Sequence, residues 1–232
     1  MTDGAKAVAA SPRPWTIGVF LALYAALTVW IIVGRDIADA SVFAAVKNAG
    51  YAGLALGGGW AFRAGIARSW RTTRSRPLLA AGAVLLALAL MGVASAVSQG
   101  VLLLVAAPPA GANQAAIAAE VLAASSSFVD GLLFVGVGGV AAPIVEELVF
   151  REVPLAPRRG RIGTAVAFAV SCLVFGGIHL RGVDEWPLAI LYVGFAVALG
   201  AAYLVSQRNL LVTITAHVLW NGIGLGFLLV TG

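Results

Sequence analysis

The 232-residue chain has one cysteine, two histidines and two lysines, and each scarcity removes a class of reading. A lone thiol, Cys172, cannot close a disulfide within the chain, and one thiol with two imidazoles cannot build a Cys-rich zinc motif. Charged residues make up only 11% of the chain against 61% hydrophobic, which excludes both an ordinary soluble domain and a solvated disordered one. Gly-x-Ser-x-Gly and His-Glu-x-x-His are absent, so neither a nucleophile elbow nor a zincin helix is written into the sequence. The net charge of +5 does not point to nucleic acid, because the basic residues fall between apolar runs rather than forming a patch. No nucleic-acid partner is expected.

What remains is a succession of apolar runs long enough to cross a bilayer, at about 15–33, 41–62, 77–107, 128–153, up to about 180, 187–206 and 209–230. They predict an all-α polytopic membrane bundle of about seven helices (six to eight), surrounded by lipid. The whole of 1–232 reads as one integral membrane domain, with a motif-bearing core at 128–230. Between the runs, Arg63, Arg68, Arg71, Arg74 and Arg76 form a basic linker, Pro108 and Pro109 end the third run, and 110–127 reads as a surface helix. Pro154, Pro157, Arg158, Arg159 and Arg161 make the next loop. With Lys6, Arg13 and Arg208, the loops on one side carry eleven Lys and Arg, against only Arg35 and Arg181 on the other. That asymmetry places the N-terminus in the cytoplasm and the C-terminus outside, with Asp36, Asp39, Glu120, Asp184 and Glu185 as outer bystanders. Abundant Ala, Gly and Arg suggests a bacterial cell membrane.

The fourth run holds Pro143-Ile-Val-Glu-Glu-Leu-Val-Phe-Arg151, three ionisable groups at membrane depth. A charge near the bilayer centre costs roughly 2.5–3.5 kcal/mol on insertion scales, so one that persists has a partner or a function. Glu147 and Arg151, acid before base at i and i+4, form a natural ion pair on one helix face. Glu146 points about 100° away and must find its partner on another helix. A purely structural reading satisfies both carboxylates with Arg151 and a hydroxyl.

Both histidines lie in or at the end of predicted runs. His179 follows Phe175-Gly-Gly-Ile, with Phe175 one turn below it, and the last run carries Asn209, Thr213, His217 and Asn221 as one polar stripe. Such a stripe faces protein or water. Helix-bridging hydrogen bonds explain a stripe, but two imidazoles and a spare carboxylate suggest a wet cavity. A carboxylate in apolar surroundings can serve as general base toward water, a nearby imidazole can orient that water, and His and Asn donors can stabilise an oxyanion. A zinc alternative takes His179 and His217 with Glu146 or Glu147 as ligands.

Glu146-Glu147-x-x-x-Arg151, Phe175-x-x-x-His179 and His217-x-x-x-Asn221, in this order, resemble the signature of the CPBP (Abi) family of CAAX prenyl proteases and bacteriocin-processing proteins. The resemblance covers about 143–222. It implies a helical bundle around an intramembrane cavity open to the cytoplasm, and an endopeptidase cleaving a peptide or membrane-protein substrate near that face. In those terms Glu146 and His179 activate water, His217 and Asn221 form the oxyanion site, and Glu147, Arg151 and Phe175 support them. No metal or cofactor is implied. The same resemblance admits a non-proteolytic immunity or scaffold protein, and a zinc metalloprotease stays open. Glu152 departs from the glycine common at that place. For Glu146 to meet His179, the turn between their helices should centre near residue 162 or 163, later than Pro154 and Pro157 suggest.

Overall fold

The structure, a computed structural model, describes residues 12–105, 111–124, 127–157 and 160–231; Lys6, Pro108, Pro109, Arg158 and Arg159 lie outside them. The described residues fold into helices α1 (Pro14–Ile37), α2 (Ala40–Ala61), α3 (Arg63–Ser75), α4 (Pro77–Leu104) and α5 (Ala112–Ala124). A continuous helical run, α6 (128–155), follows, then α7 (Arg161–Ile178), a 3-10 turn (Val183–Leu188), α8 (Ala189–Val205) and α9 (Leu210–Thr231). No strand occurs among the described residues. Prolines open α1 and α4, where the missing N–H is an unpaired group in any case.

Among the described residues, five helices are long and apolar enough to cross a membrane: Pro14–Ile37, Pro77–Leu104, Val129–Leu155, Arg161–Ile178 and Asp184–Val205. The chain is therefore an integral membrane protein with an all-helical bundle. The other two expected spans are α2, which carries Lys47 and Asn48, and α9, which carries the polar stripe. Only Leu210–Leu225 of α9 counts as an apolar stretch. The expected surface helix is α5.

The basic linker is in fact a helix. In α3 one face carries Gly65, Ser69 and Thr73, and it is drawn against the bundle by polar contacts. The Ser69 hydroxyl accepts from the Leu210 N–H at 2.9 Å, and Asn209 Nδ2 donates to Thr73 Oγ1 at 2.9 Å. Asn209 also accepts from the Leu211 N–H, so the first member of the stripe caps α9. Gln207 and Arg208, both at positive φ (66° and 59°), make the tight turn into that cap. Arg208 Nε reaches back 2.9 Å to the Leu155 carbonyl, supplying a donor and a positive charge to the C-terminal end of α6.

Helix α6 is not uniformly α-helical. It widens into π-helix at Val135–Ala141 and again at Leu148–Glu152, each time just before a proline, Pro143 and Pro154. Proline has no N–H and removes one rung of the ladder, and widening redistributes the remaining rungs. Across the helix interface Phe150 meets Phe175 edge-on at 5.3 Å, and Ser171 Oγ donates to the Phe150 carbonyl at 2.5 Å. Phe150 and Phe175 are centred on residues 162–163, although α7 begins at Arg161.

Candidate active site

Four groups from α6 and α9 meet in the apolar centre. Glu147 and Arg151 are fully buried, with Arg151 Nε 3.4 Å from Glu147 Oε2. His217 stands between the two carboxylates, Nδ1 at 2.9 Å from Glu147 Oε1 and Nε2 at 3.7 Å from Glu146 Oε2. Adjacent glutamates on a helix diverge by about 100°, and the imidazole is planar with nitrogens on opposite flanks, so one ring spans both acids. The partner that Glu146 required from another helix is His217. Glu147, read from the sequence as a support for Arg151, is also the group that orients this histidine.

Arg151 uses its remaining donors on backbone carbonyls that the widened helix frees or that face it. Nη1 donates to Phe150 O (3.2 Å) and lies 3.4 Å from Ser171 Oγ, and Nη2 donates to Ala196 O on α8 (3.3 Å). The guanidinium lies 5.4 Å from the centre of the Phe175 ring. A fully buried cation is thus surrounded by one carboxylate, two carbonyls and an aromatic face, the compensation that burial of charge requires.

His179 sits at the end of α7, half-buried, with its ring between two others. Phe175 lies 4.6 Å away at 34° and Tyr192 of α8 4.8 Å away at 24°. Its Nδ1–H donates to the Phe175 carbonyl at 2.7 Å, which leaves the Nε2 lone pair free. Asn113 of α5 donates to the Tyr192 hydroxyl at 3.3 Å, linking the clamp to the surface helix. Phe175 also lies 6.2 Å from His217, so one aromatic ring spaces the two histidines.

Asn221 Nδ2 donates to the Gly138 carbonyl at 3.3 Å. The reason lies in the first π turn. The Ala142 N–H bonds back five residues to Val137, and the next rung in that register would run from residue 143 to Gly138. Residue 143 is proline, so Gly138 O lacks a backbone donor and the Asn221 amide supplies one. The stripe of α9 therefore faces protein along its length, from Thr73 through Glu147 and Glu146 to Gly138.

Several contributors carried no sequence signal. The hydroxyls of Tyr24 (α1) and Tyr51 (α2) lie within electrostatic range of Glu146, and the Tyr24 ring meets Phe150 edge-on at 5.9 Å. Glu152 is buried, accepting from Arg68 Nη2 at 2.8 and 3.0 Å and from the Tyr203 hydroxyl at 2.8 Å. A side chain at position 65 would collide with it, which is why α3 has glycine there. Burial acts against the charge of Arg68, but the Glu152 carboxylate outweighs it and holds the guanidinium above its usual pKa. Glu120 is no bystander either: it pairs with Lys47 and with Arg35, tying α5 to α2 and α1 beside a cavity of about 660 Å³. Glu185 accepts from the Arg181 N–H.

Exposure increases along one direction. Arg151 and Glu147 are sealed, Glu146 and His217 are 8% and 5% exposed, and His179 and Asn221 are half-buried. On the α3 side the site is closed by Leu155, Glu152 and Tyr203. The more exposed of these groups, His179 and Asn221, lie toward the end away from α3.

Buried carboxylates, an imidazole held by one of them and a second clamped imidazole define a membrane protein equipped for acid–base chemistry inside a helical bundle. Residues 128–223, which contain every one of these motif residues, match the family model described as Rce1-like, type II CAAX prenyl endopeptidase Rce1-like. Over that segment, somewhat under half of its length, the chain is similar to the type II CAAX prenyl endopeptidases that this model describes. No curated protein and no solved structure matches the chain.

Proposed function

We propose that the chain is an intramembrane endopeptidase that hydrolyses a peptide bond with water activated by Glu146. The observation that carries this reading is the bracketing of His217 by two carboxylates of unequal circumstance. Glu147 is sealed and paired with Arg151, whereas Glu146 is slightly open and has His217 Nε2 at 3.7 Å as its ion-pair contact. Glu147 is thereby committed to structure and Glu146 is free to take a proton.

The steps follow from the donors and acceptors. A water is oriented by Glu146 and the free Nε2 of His179; Glu146 takes its proton as the oxygen adds to the scissile carbonyl. With both carboxylates ionised and Arg151 charged, the cluster is neutral only if His217 carries a proton on each nitrogen. Nδ1–H then donates to Glu147, and Nε2–H is available to the oxyanion. Asn221 spends one amide hydrogen on Gly138 and offers the other. When the tetrahedral adduct collapses the C–N bond breaks, and Glu146 passes its proton to the leaving amine. The substrate is a peptide precursor or membrane protein.

The residues do not suit resident zinc. Among the described residues no three His, Cys, Asp or Glu side chains converge in metal-holding geometry. We expect activity to survive exhaustive chelation and purified protein to lack stoichiometric zinc by elemental analysis. One equivalent of zinc per chain, with activity lost on chelation and restored by adding it back, would establish the metalloprotease mechanism instead.

Two expectations about orientation pull apart. The loop charges favour a cytoplasmic α3 end, whereas the resemblance implies a cavity open to the cytoplasm, and the more exposed groups of the site lie toward the other end. We place α3 in the cytoplasm on the charge count. Ala119 is exposed on α5 and the only native thiol, Cys172, is buried, so Ala119→Cys in intact cells should react with an impermeant maleimide, and Ser75→Cys only after permeabilisation. The reverse pattern would put the mouth of the site in the cytoplasm and overturn the charge-based topology.

A further inference from the structure

The α3 end of the molecule carries its positive charge without acid to balance it. Arg71, Arg74, Arg76 and Arg161 are exposed and form no ion pair among the described residues. The nearest carboxylate, Glu152, is buried and already bonded to Arg68 and Tyr203. Every fully exposed described carboxylate, Asp36, Asp39, Asp130 and Asp184, belongs to helix ends or turns at the opposite end.

Three exposed tryptophans mark the level at which this charge begins. Trp15 starts α1, Trp60 ends α2 and Trp70 lies on the outer face of α3, at 64%, 67% and 56% exposure. Tryptophan concentrates where hydrocarbon gives way to headgroups. Arg63 is stacked 4.8 Å over Trp60 and donates to its carbonyl, so it belongs to that belt. Arg71, Arg74 and Arg76 continue past it at the C-terminal end of α3, where free carbonyls add negative potential but supply no counter-charge. The inner face of α3 is fixed by Ser69, Thr73 and the Arg68–Glu152 pair, so its outer face is held in one orientation rather than swinging free.

From this we infer that the outer face of α3, with Arg71 and Arg74, together with Arg76 just beyond the helix end, is a docking surface for anionic phospholipid headgroups of the adjacent leaflet. The guanidinium fork matches two phosphate oxygens, and a phosphodiester lipid with no compensating amine supplies the missing charge. Each basic residue near an anionic surface gives roughly a fivefold preference, so Arg71, Arg74 and Arg76 together give about a hundredfold. This surface is separate from the hydrolytic centre and stands whether or not the chain is a peptidase.

Nanodiscs of phosphatidylcholine containing a small fraction of brominated lipid test it. The difference in fluorescence between wild type and Trp70→Phe isolates Trp70. We expect brominated phosphatidylglycerol to quench Trp70 several-fold more than brominated phosphatidylcholine at low salt. High salt should collapse that preference, as should the combined R71Q/R74Q/R76Q variant, whereas R71K/R74K/R76K should retain most of it. The salt titration on wild-type protein carries the test should the glutamine variant fail to fold. Equal quenching by the two lipids at low salt, or a preference indifferent to salt, would overturn the assignment.

Discussion

Glu146→Gln is expected to bring peptide hydrolysis down to background while the protein remains folded in the membrane. The amide keeps the shape of the carboxylate and its place 3.7 Å from His217 Nε2, so the helix interface stays filled. It cannot take a proton from water. Loss of a positioned general base costs about 10²–10⁴-fold in rate, and a peptide bond has little uncatalysed reactivity to fall back on. Helicity and the thermal midpoint should change little, because Glu146 is not part of the sealed Glu147–Arg151 pair. Wild-type turnover by Glu146→Gln on a confirmed substrate would remove Glu146 from the chemistry.

Glu147→Ala should have the opposite balance, with stability as the first casualty. Arg151 is fully buried, and Glu147 is its one carboxylate. Removing one member of a buried pair costs roughly 3–5 kcal/mol, because the other charge is left without compensation. The Phe150 and Ala196 carbonyls remain as acceptors but cannot neutralise it. His217 also loses the acceptor for Nδ1–H and with it the reason to present Nε2 toward Glu146. We expect poor accumulation in the membrane, a clearly lowered thermal midpoint in detergent, and residual folded protein with little activity. An unchanged midpoint would mean that Arg151 has another counter-charge and that the pair is not what holds α6 in place.

Residue spacing revealed much of this site because helices repeat. Asn209, Thr213, His217 and Asn221 recur every four residues, so a single face could be assigned before any contact was known. Glu147 and Arg151 obey the same spacing, and the divergence of Glu146 from Glu147 said that its partner lay elsewhere. The span pattern was legible for the same reason of length and hydropathy.

Other features depend on which helices become neighbours, and no local pattern carries that. Tyr24, Tyr51 and Tyr192 approach Glu146 or His179 from three separate helices. Glu152 looked like an anomaly at a position where glycine is common, yet Gly65 of α3 makes room for it. Pro143 and Pro154 announced an interruption of the ladder without saying whether the helix would break, kink or widen. Widening at both left Gly138 O for Asn221 and Phe150 O for Arg151 and Ser171. The basic stretch read as a linker because five arginines drew attention from Gly65, Ser69 and Thr73, whose i, i+4 spacing was the available sign of a helix face.

The most direct measurement of the central claim is peptide release from membranes in ¹⁸O-water, comparing wild type, Glu146→Gln and vector control by mass spectrometry of envelope peptides. The account predicts cleaved peptides bearing ¹⁸O in the new carboxylate with wild type, undiminished by a chelator, and none above control with Glu146→Gln. The same peptides at the same abundance from wild type and Glu146→Gln would contradict it.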